Sequence, residues 1–357
     1  MTLTRRSALS LIAAPLVAQG GGFADKLLPA PLKGGFAMDG YWVWCGSAIR
    51  GEDGRYHLFA SRWSHGVSFN PHWLTNSEIV RASADKPEGP YQFEEVVFSP
   101  RGEHFWDGRM THNPTIHRWR DNYLLFYIGT TYAGATPDAA HPMTNQSPMR
   151  LEARANQRIG VAVSKSVKGP WKRMEQPILQ PRPGKWDALM TTNPAPCVHE
   201  DGSVLLVYKS AIDQKGLLTL GLARAPRFDG TYERVLDGPM FDFSATGDHV
   251  EDAFVWHGKS GYQLIMKDMK GGICGEAGGG IHAVSQDGIK WQVSKPAMAW
   301  SRNVKWSDGV VREQARFERP QLLIEGGKPT HLFCATGTSI GSGPLERTWN
   351  MVIPLKA

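Results

Sequence analysis

Residues 112–130 read HNPTIHRWRDNYLLFYIGT, and residues 192–210 read TNPAPCVHEDGSVLLVYKS. Both open on a polar residue and Asn-Pro, run on through an apolar-rich stretch, turn at Asp121 or Asp201, and close on a second apolar run. Two apolar runs joined by a short polar turn are the pattern of a β-hairpin. The same grammar recurs as WCGSAIRGEDGRYHLFASR (44–62), EDAFVWHGKSGYQLIMKD (251–268) and ERPQLLIEGGKPTHLFCATG (318–337). A second half-repeat follows the first four hairpins, starting at Ile79, Ile159, Leu220 and Ile281, and residues 348–355 finish the last. The first two of these share a Gly-Pro-aromatic turn, Gly89-Pro90-Tyr91 and Gly169-Pro170-Trp171. Two hairpins make a four-stranded sheet, the blade of a β-propeller. The sequence therefore predicts an all-β, five-bladed β-propeller, with residues 25–357 as one domain.

Asn113, Asn193, Glu251 and Glu318 mark successive blade starts, spaced 80, 58 and 67 residues apart. The unequal spacing is absorbed by long connections at 64–77, 132–156 and 269–280. In a propeller these share a face with the starts of the innermost strands, and long loops on one face are where binding sites usually lie. The glycine-rich stretch 271–280 lacks the following Gly-Lys-Ser/Thr of a phosphate loop and reads as a mobile rim loop.

The chain has 357 residues, 41% hydrophobic and 21% charged, an ordinary globular balance. The net charge of +6 comes without runs of like charge or Lys/Arg clusters interleaved with aromatics, so no nucleic-acid partner is expected. Arg5-Arg6 precede an apolar stretch over 7–17, too short for a membrane span of about 20 residues. Small residues follow, so 1–24 reads as a signal peptide of twin-arginine or general secretory type, cut after Ala18, Gly20 or Ala24. The expected location is periplasmic or secreted, with no membrane partner. Cys45, Cys197, Cys274 and Cys334 form no CxxC pair, which argues against structural zinc. Cys45 and Cys197 are expected as buried free thiols near the axis. No cofactor or catalytic metal is predicted; a structural cation on the propeller axis is compatible with the fold.

The innermost strands begin at the axis, so their first residues converge on a common funnel. These are Trp44-Cys45, His112-Asn113, Thr192-Asn193, Glu251-Asp252 and Glu318-Arg319. Burial raises a carboxyl pKa, which suits a general acid. Alternation along the strand sends one of Glu251 and Asp252 into the funnel and the other into the blade. Asp39, Asp107 and Asp187 each stand six residues before an axial position, Cys45, Asn113 and Asn193. They read either as carboxylates around a sugar or as repeated loop caps bonding backbone amides. Glycoside hydrolysis needs two carboxyls, one to protonate the leaving oxygen and one to activate water or attack carbon. The catalytic candidates are Glu251 or Asp252 with Asp39 or Asp187 as partner. Arg62, Lys209 and Lys267 end second strands on the axis face. With His112 and Arg319 they suit a carboxylate or sulfate on the sugar, or salt bridges to the funnel acids. Asp107, Asn113, Asn193 and Glu318 complete the predicted substrate-binding set.

On Asn113-Pro114, Asn193-Pro194, the Gly-Pro-aromatic turns and Glu251-Asp252 before an apolar strand, residues 36–357 resemble the five-bladed propeller glycosidases. That superfamily includes arabinanases, β-xylosidases, levansucrases, 3,6-anhydro-L-galactosidases and mannoside phosphorylases. The resemblance implies an Asp base in the first blade, a second Asp orienting it, and a Glu or Asp acid further round. Asp39 would be that base, although the aligned position is Cys45. The arabinanase-like members carry an acid in the third blade where this chain has Asn193. Glu251-Asp252 is closer to the Glu-Asp of the phosphorylase and anhydrogalactosidase branches. The expected activity is exo-acting hydrolysis of a plant or algal poly- or oligosaccharide, with room for an anionic sugar. The alternatives are a glycoside phosphorylase, a uronate lyase, or a sugar-binding propeller without catalysis.

Overall fold

The computed structural model describes residues 21–339 and 343–356. The leader residues up to Gly20 lie outside this range. Blade one contains β1 (Tyr41–Arg50), β2 (Tyr56–Ser64), β3 (Glu78–Ala84) and β4 (Gln92–Phe98). Blade two contains β5 (Met110–Trp119), β6 (Asn122–Thr130), β7 (Arg158–Ser164) and β8 (Lys172–Arg173). Blade three contains β9 (Thr192–Val198), β10 (Val204–Ser210), β11 (Thr219–Ala225) and β12 (Glu233–Arg234). Blade four contains β13 (Val250–Gly258), β14 (Gly261–Asp268), β15 (Gly280–Ser285) and β16 (Gln292–Trp300). After a short hairpin of β17 (Asn303–Lys305) and β18 (Val311–Glu313), blade five is β19 (Arg316–Glu325), β20 (Lys328–Ser339) and β21 (Leu345–Pro354). Every pairing is antiparallel between consecutive strands, as the hairpin repeat predicts.

Blade five departs from the expected four strands. Its outer edge is covered by the segment that leads into β1. Phe36 and Asn350 exchange backbone hydrogen bonds, both 2.9 Å, and Leu28 N–H donates to the Pro354 carbonyl at 2.9 Å. An unpaired edge is a liability, and the first residues of the domain close it. Residues 21–24, placed in the leader by the sequence reading, pack on the propeller. Phe23 is only 3% exposed and meets Trp256 and His282.

The core lies between blades. Leu124 and Phe126 of β6 pack with Leu206 and Tyr208 of β10, so the inner strands are covered on both faces. This explains their near-continuous apolar runs. Two short helices interrupt the long connections: α1 (Phe69–Asn76), kinked at Asn70, and α2 (Pro148–Ala155). Among the described residues no helix is long and apolar enough to cross a membrane.

Each innermost strand carries the same defect. The ladder slips between Trp44 and Ser47, between His112 and Thr115, between Thr192 and Ala195, between Glu251 and Phe254, and between Glu318 and Gln321. Inside each slip one residue is left-handed: Cys45 (φ 56°), Asn113 (52°), Asn193 (50°), Asp252 (57°) and Arg319 (53°). Asn and Asp visit this region most readily among residues with a side chain; Cys and Arg do so only under constraint. A bulge re-aims side chains, and such strain concentrates at functional sites.

Candidate active site

The five left-handed residues meet on the axis and bond to one another in sequence. The Cys45 thiol donates to Asn113 Oδ1 (2.6 Å), Asn113 Nδ2 to Asn193 Oδ1 (2.7 Å), and Asn193 Nδ2 to Asp252 Oδ1 (2.6 Å). Asp252 Oδ2 accepts the Arg319 backbone N–H at 3.3 Å, and Arg319 Nη1 stands 3.5 Å from Asp252 Oδ1. Asp252 is 3% exposed. Burial, and then the neighbouring Glu251 charge, push its carboxyl above the usual range.

Above this ring opens a cavity of about 1420 Å³, walled by residues from all five blades. Part of its wall is a chain of ion pairs. Lys209 Nζ donates to Glu251 Oε2 (2.7 Å), while Lys267 Nζ reaches Glu251 Oε1 (3.2 Å) and Glu318 Oε1 (2.6 Å). Burial alone would raise the Glu251 pKa; the two ammonium groups override it and hold the carboxyl well below the usual range. Two adjacent carboxyls are thus pushed in opposite directions. The wall also carries aromatic side chains, Trp42, Trp44, Phe69, Trp73, Trp306 and Trp349. Phe69 meets the edges of Trp42 and Trp44 at centroid distances of 5.7 and 4.8 Å.

Alternation does not separate Glu251 from Asp252. The bulge suspends it, and both line the cavity. His112, Asn113, Asn193, Lys209, Lys267, Glu318 and Arg319 line it too. His112 Nδ1 is 2.7 Å from Ser77 Oγ and its ring lies against Trp73. Burial, with Arg319 and Lys209 nearby, pushes its pKa well down, so the ring is neutral.

Four predicted residues lie elsewhere, and among the described residues none of them is on the cavity wall. Asp107 and Asp187 are 0% exposed. Asp107 accepts from Tyr127 Oη (2.7 Å), Arg101 Nε (2.7 Å) and Arg173 Nη1 (3.4 Å). Asp187 accepts from Tyr208 Oη (2.8 Å), Arg182 Nε (2.9 Å) and Arg234 Nε (2.6 Å). Each ties the approach to an inner strand to the outermost strand of its own blade. The preceding Trp106 and Trp186 stack on the same tyrosines. The repeat at six residues is a blade clamp made with side chains, and neither a sugar contact nor a backbone cap. Asp39 is exposed in the turn before β1 and does not share the clamp. Arg62 bonds Glu78 at 2.9 Å between the rings of Tyr41 and Phe93. The register explains why it misses the cavity. Glu251 pairs with Lys267 and Thr192 with Lys209, but Trp44 pairs with Ser61, one residue before Arg62. A slip of one residue turns a side chain to the other face.

The sequence reading missed the aromatic wall and the β17–β18 hairpin, whose Arg312 and Glu313 form part of the rim. Phe69 and Trp73, four residues apart in the 64–77 connection, were the available signal. Residues 269–280 are organised, not loose. Asp268 accepts backbone N–H groups of Lys270, Gly271, Ile273 and Cys274 at 2.7–3.2 Å. All four cysteines are free; Cys45 is axial, whereas Cys197 sits in the apolar core between blades three and four. Among the described residues no three His, Cys, Asp or Glu side chains gather as a metal-binding group.

No family model matches the chain, and no curated protein sequence matches it. Solved structures do. Zg3597, a family 117 glycoside hydrolase of Zobellia galactanivorans, is 17% identical with TM-score 0.65, over 92% of this chain and 89% of that one. A thermostable family-43 glycoside hydrolase is 12% identical with TM-score 0.56, over 93% of this chain and 93% of that one. An endo-arabinase of Bacteroides thetaiotaomicron is 12% identical with TM-score 0.55, over 91% of this chain and 98% of that one. At such identities the likeness is one of architecture, and what this chain shares with these proteins is the five-bladed propeller.

Proposed function

We propose that this protein is an exo-acting glycosidase that binds the end of a poly- or oligosaccharide in the axial cavity. One observation carries the reading. Asp252 and Glu251 are adjacent carboxyls in one cavity, and their surroundings push their proton affinities apart. Carboxyls so separated divide acid and charge-bearing roles between them. Asp252, favoured in its protonated form, is the proton donor to the leaving oxygen. Glu251, kept ionised by Lys209 and Lys267, faces the positive charge that develops on the sugar ring. Glu318, bonded to one lysine, is the second carboxylate available to activate water. The aromatic wall offers apolar faces to sugar rings, and a cavity walled by all five blades suits a chain end better than a passing chain. The glycoside hydrolases among the structural neighbours fit the same reading.

The test is turnover by Asp252→Asn and Glu251→Gln on natural oligosaccharides and on aryl glycosides. General acid catalysis contributes about 10²–10⁴-fold, so Asp252→Asn should lose that factor on a poor leaving group and less on an activated one. Full activity of both variants on a natural oligosaccharide would end the assignment.

A further inference from the structure

Arg319 is the unexplained member of the axial ring. It is 2% exposed, and yet Nε, Nη1 and Nη2 have no hydrogen-bond partner among the described residues. Its neighbours are the Asp252 carboxyl, 3.5 Å from Nη1, and the Cys45 thiol, whose pKa burial pushes well up while Arg319 pulls the other way. The first is an ion pair longer than an ordinary hydrogen bond, and the second is to a buried thiol, a weak acceptor. A buried guanidinium whose N–H groups are not hydrogen-bonded is costly, and its planar fork matches two oxygens of one carboxylate. Other cations of the wall are already matched: Lys209 and Lys267 by Glu251 and Glu318, and Arg302 by Glu313. Arg316, three residues earlier on β19, is exposed on the same wall and has no ion pair among the described residues. Among the described residues six Lys/Arg and four Asp/Glu side chains line the cavity, so these carry a positive excess.

We infer that Arg319 receives the carboxylate of a uronic acid at the floor of the cavity, and that Arg316 attracts that acid at the rim. The assignment rests on the reading of this cavity as a sugar site. The ring encloses Arg319 on the axis, where a planar carboxylate fits more easily than a tetrahedral sulfate.

Calorimetric titration of the whole protein tests this. The probes are methyl β-D-glucuronide and methyl α-D-galacturonide, their methyl esters, the neutral glucoside and galactoside, and the corresponding 6-sulfates. At least one uronide should bind about 10- to 100-fold more tightly than its ester and its neutral counterpart, the range of a charge-assisted bidentate contact. Arg319→Gln should remove that preference. If this variant fails to fold, the ester comparison on the native protein decides alone. Absence of uronide binding at millimolar concentration, equal binding of acid and ester, or preference for a sulfate overturns the inference. Uronide binding without cleavage of any glycoside leaves it standing and sinks the glycosidase reading. Cleavage of neutral glycosides with indifference to uronides does the reverse.

Discussion

Lys267 donates to Glu318 across the boundary between blades four and five, at 2.6 Å. The same ammonium group bonds Glu251, so one cation holds two cavity carboxylates. Burial alone would lower the Lys267 pKa; Glu318 and Glu251 instead hold it above its ordinary value. Lys267→Met leaves Glu318 without its lysine and Glu251 with only Lys209. Removing one member of a buried ion pair costs about 3–5 kcal/mol, and denaturant unfolding should show a loss of that order. Adding Glu318→Gln should return part of it. An additive loss in the double variant would mean the two side chains do not couple.

Asp252 predicts a trade between activity and stability. Its folded pKa is raised, so its contribution to stability is fully present below the unfolded value of about 3.9 and is lost as pH rises through the folded value. Glu251 has the opposite sign: its folded pKa is depressed, and its contribution persists until pH falls through that low value. Asp252→Asn should therefore be at least as stable as the native protein at neutral pH, with the difference between the two shrinking as pH falls toward about 4. Unfolding free energies over this range check it. A variant markedly less stable at neutral pH would show that the ionised carboxylate supports the ring.

Asp187→Asn separates the clamp from the site. It removes charge from a buried carboxylate bound by Arg182, Arg234 and Tyr208. Stability should fall by about 3 kcal/mol or more. Turnover per folded molecule should stay close to that of the native protein, because Asp187 does not reach the cavity. A large fall in kcat at unchanged stability would place Asp187 in catalysis after all.

Phe23→Ala should destabilise the fold by about 3–5 kcal/mol, the usual cost of emptying a buried aromatic site. The matching prediction is that an exported form keeps Phe23. N-terminal sequencing of the secreted protein checks this, and a mature terminus after Ala24 would contradict it.

The chain by itself determined the architecture, because blade grammar is local. A hairpin is specified by alternation and by turns such as Asp53-Gly54 and Asp201-Gly202, and five copies leave one arrangement that covers both faces of every inner strand. The axial positions were also legible, since Asn113, Asn193 and Asp252 are residue types that tolerate a left-handed backbone at matched places in the repeat. What each side chain does there was decided by tertiary structure. Asp107 and Asp187 repeat like site residues but are captured by arginines on loops and outer strands, as far along the chain as Arg173 from Asp107 and Arg234 from Asp187. Arg62 and Lys267 hold similar places in sequence, yet a one-residue difference in register sends only Lys267 to the axis. Lys209 and Lys267, from blades three and four, pull Glu251 down, while burial and the Glu251 charge raise Asp252 against the opposing pull of Arg319 from blade five. Charge acts through space over a few ångströms, and distance along the chain does not record which groups the closing of the propeller brings that near.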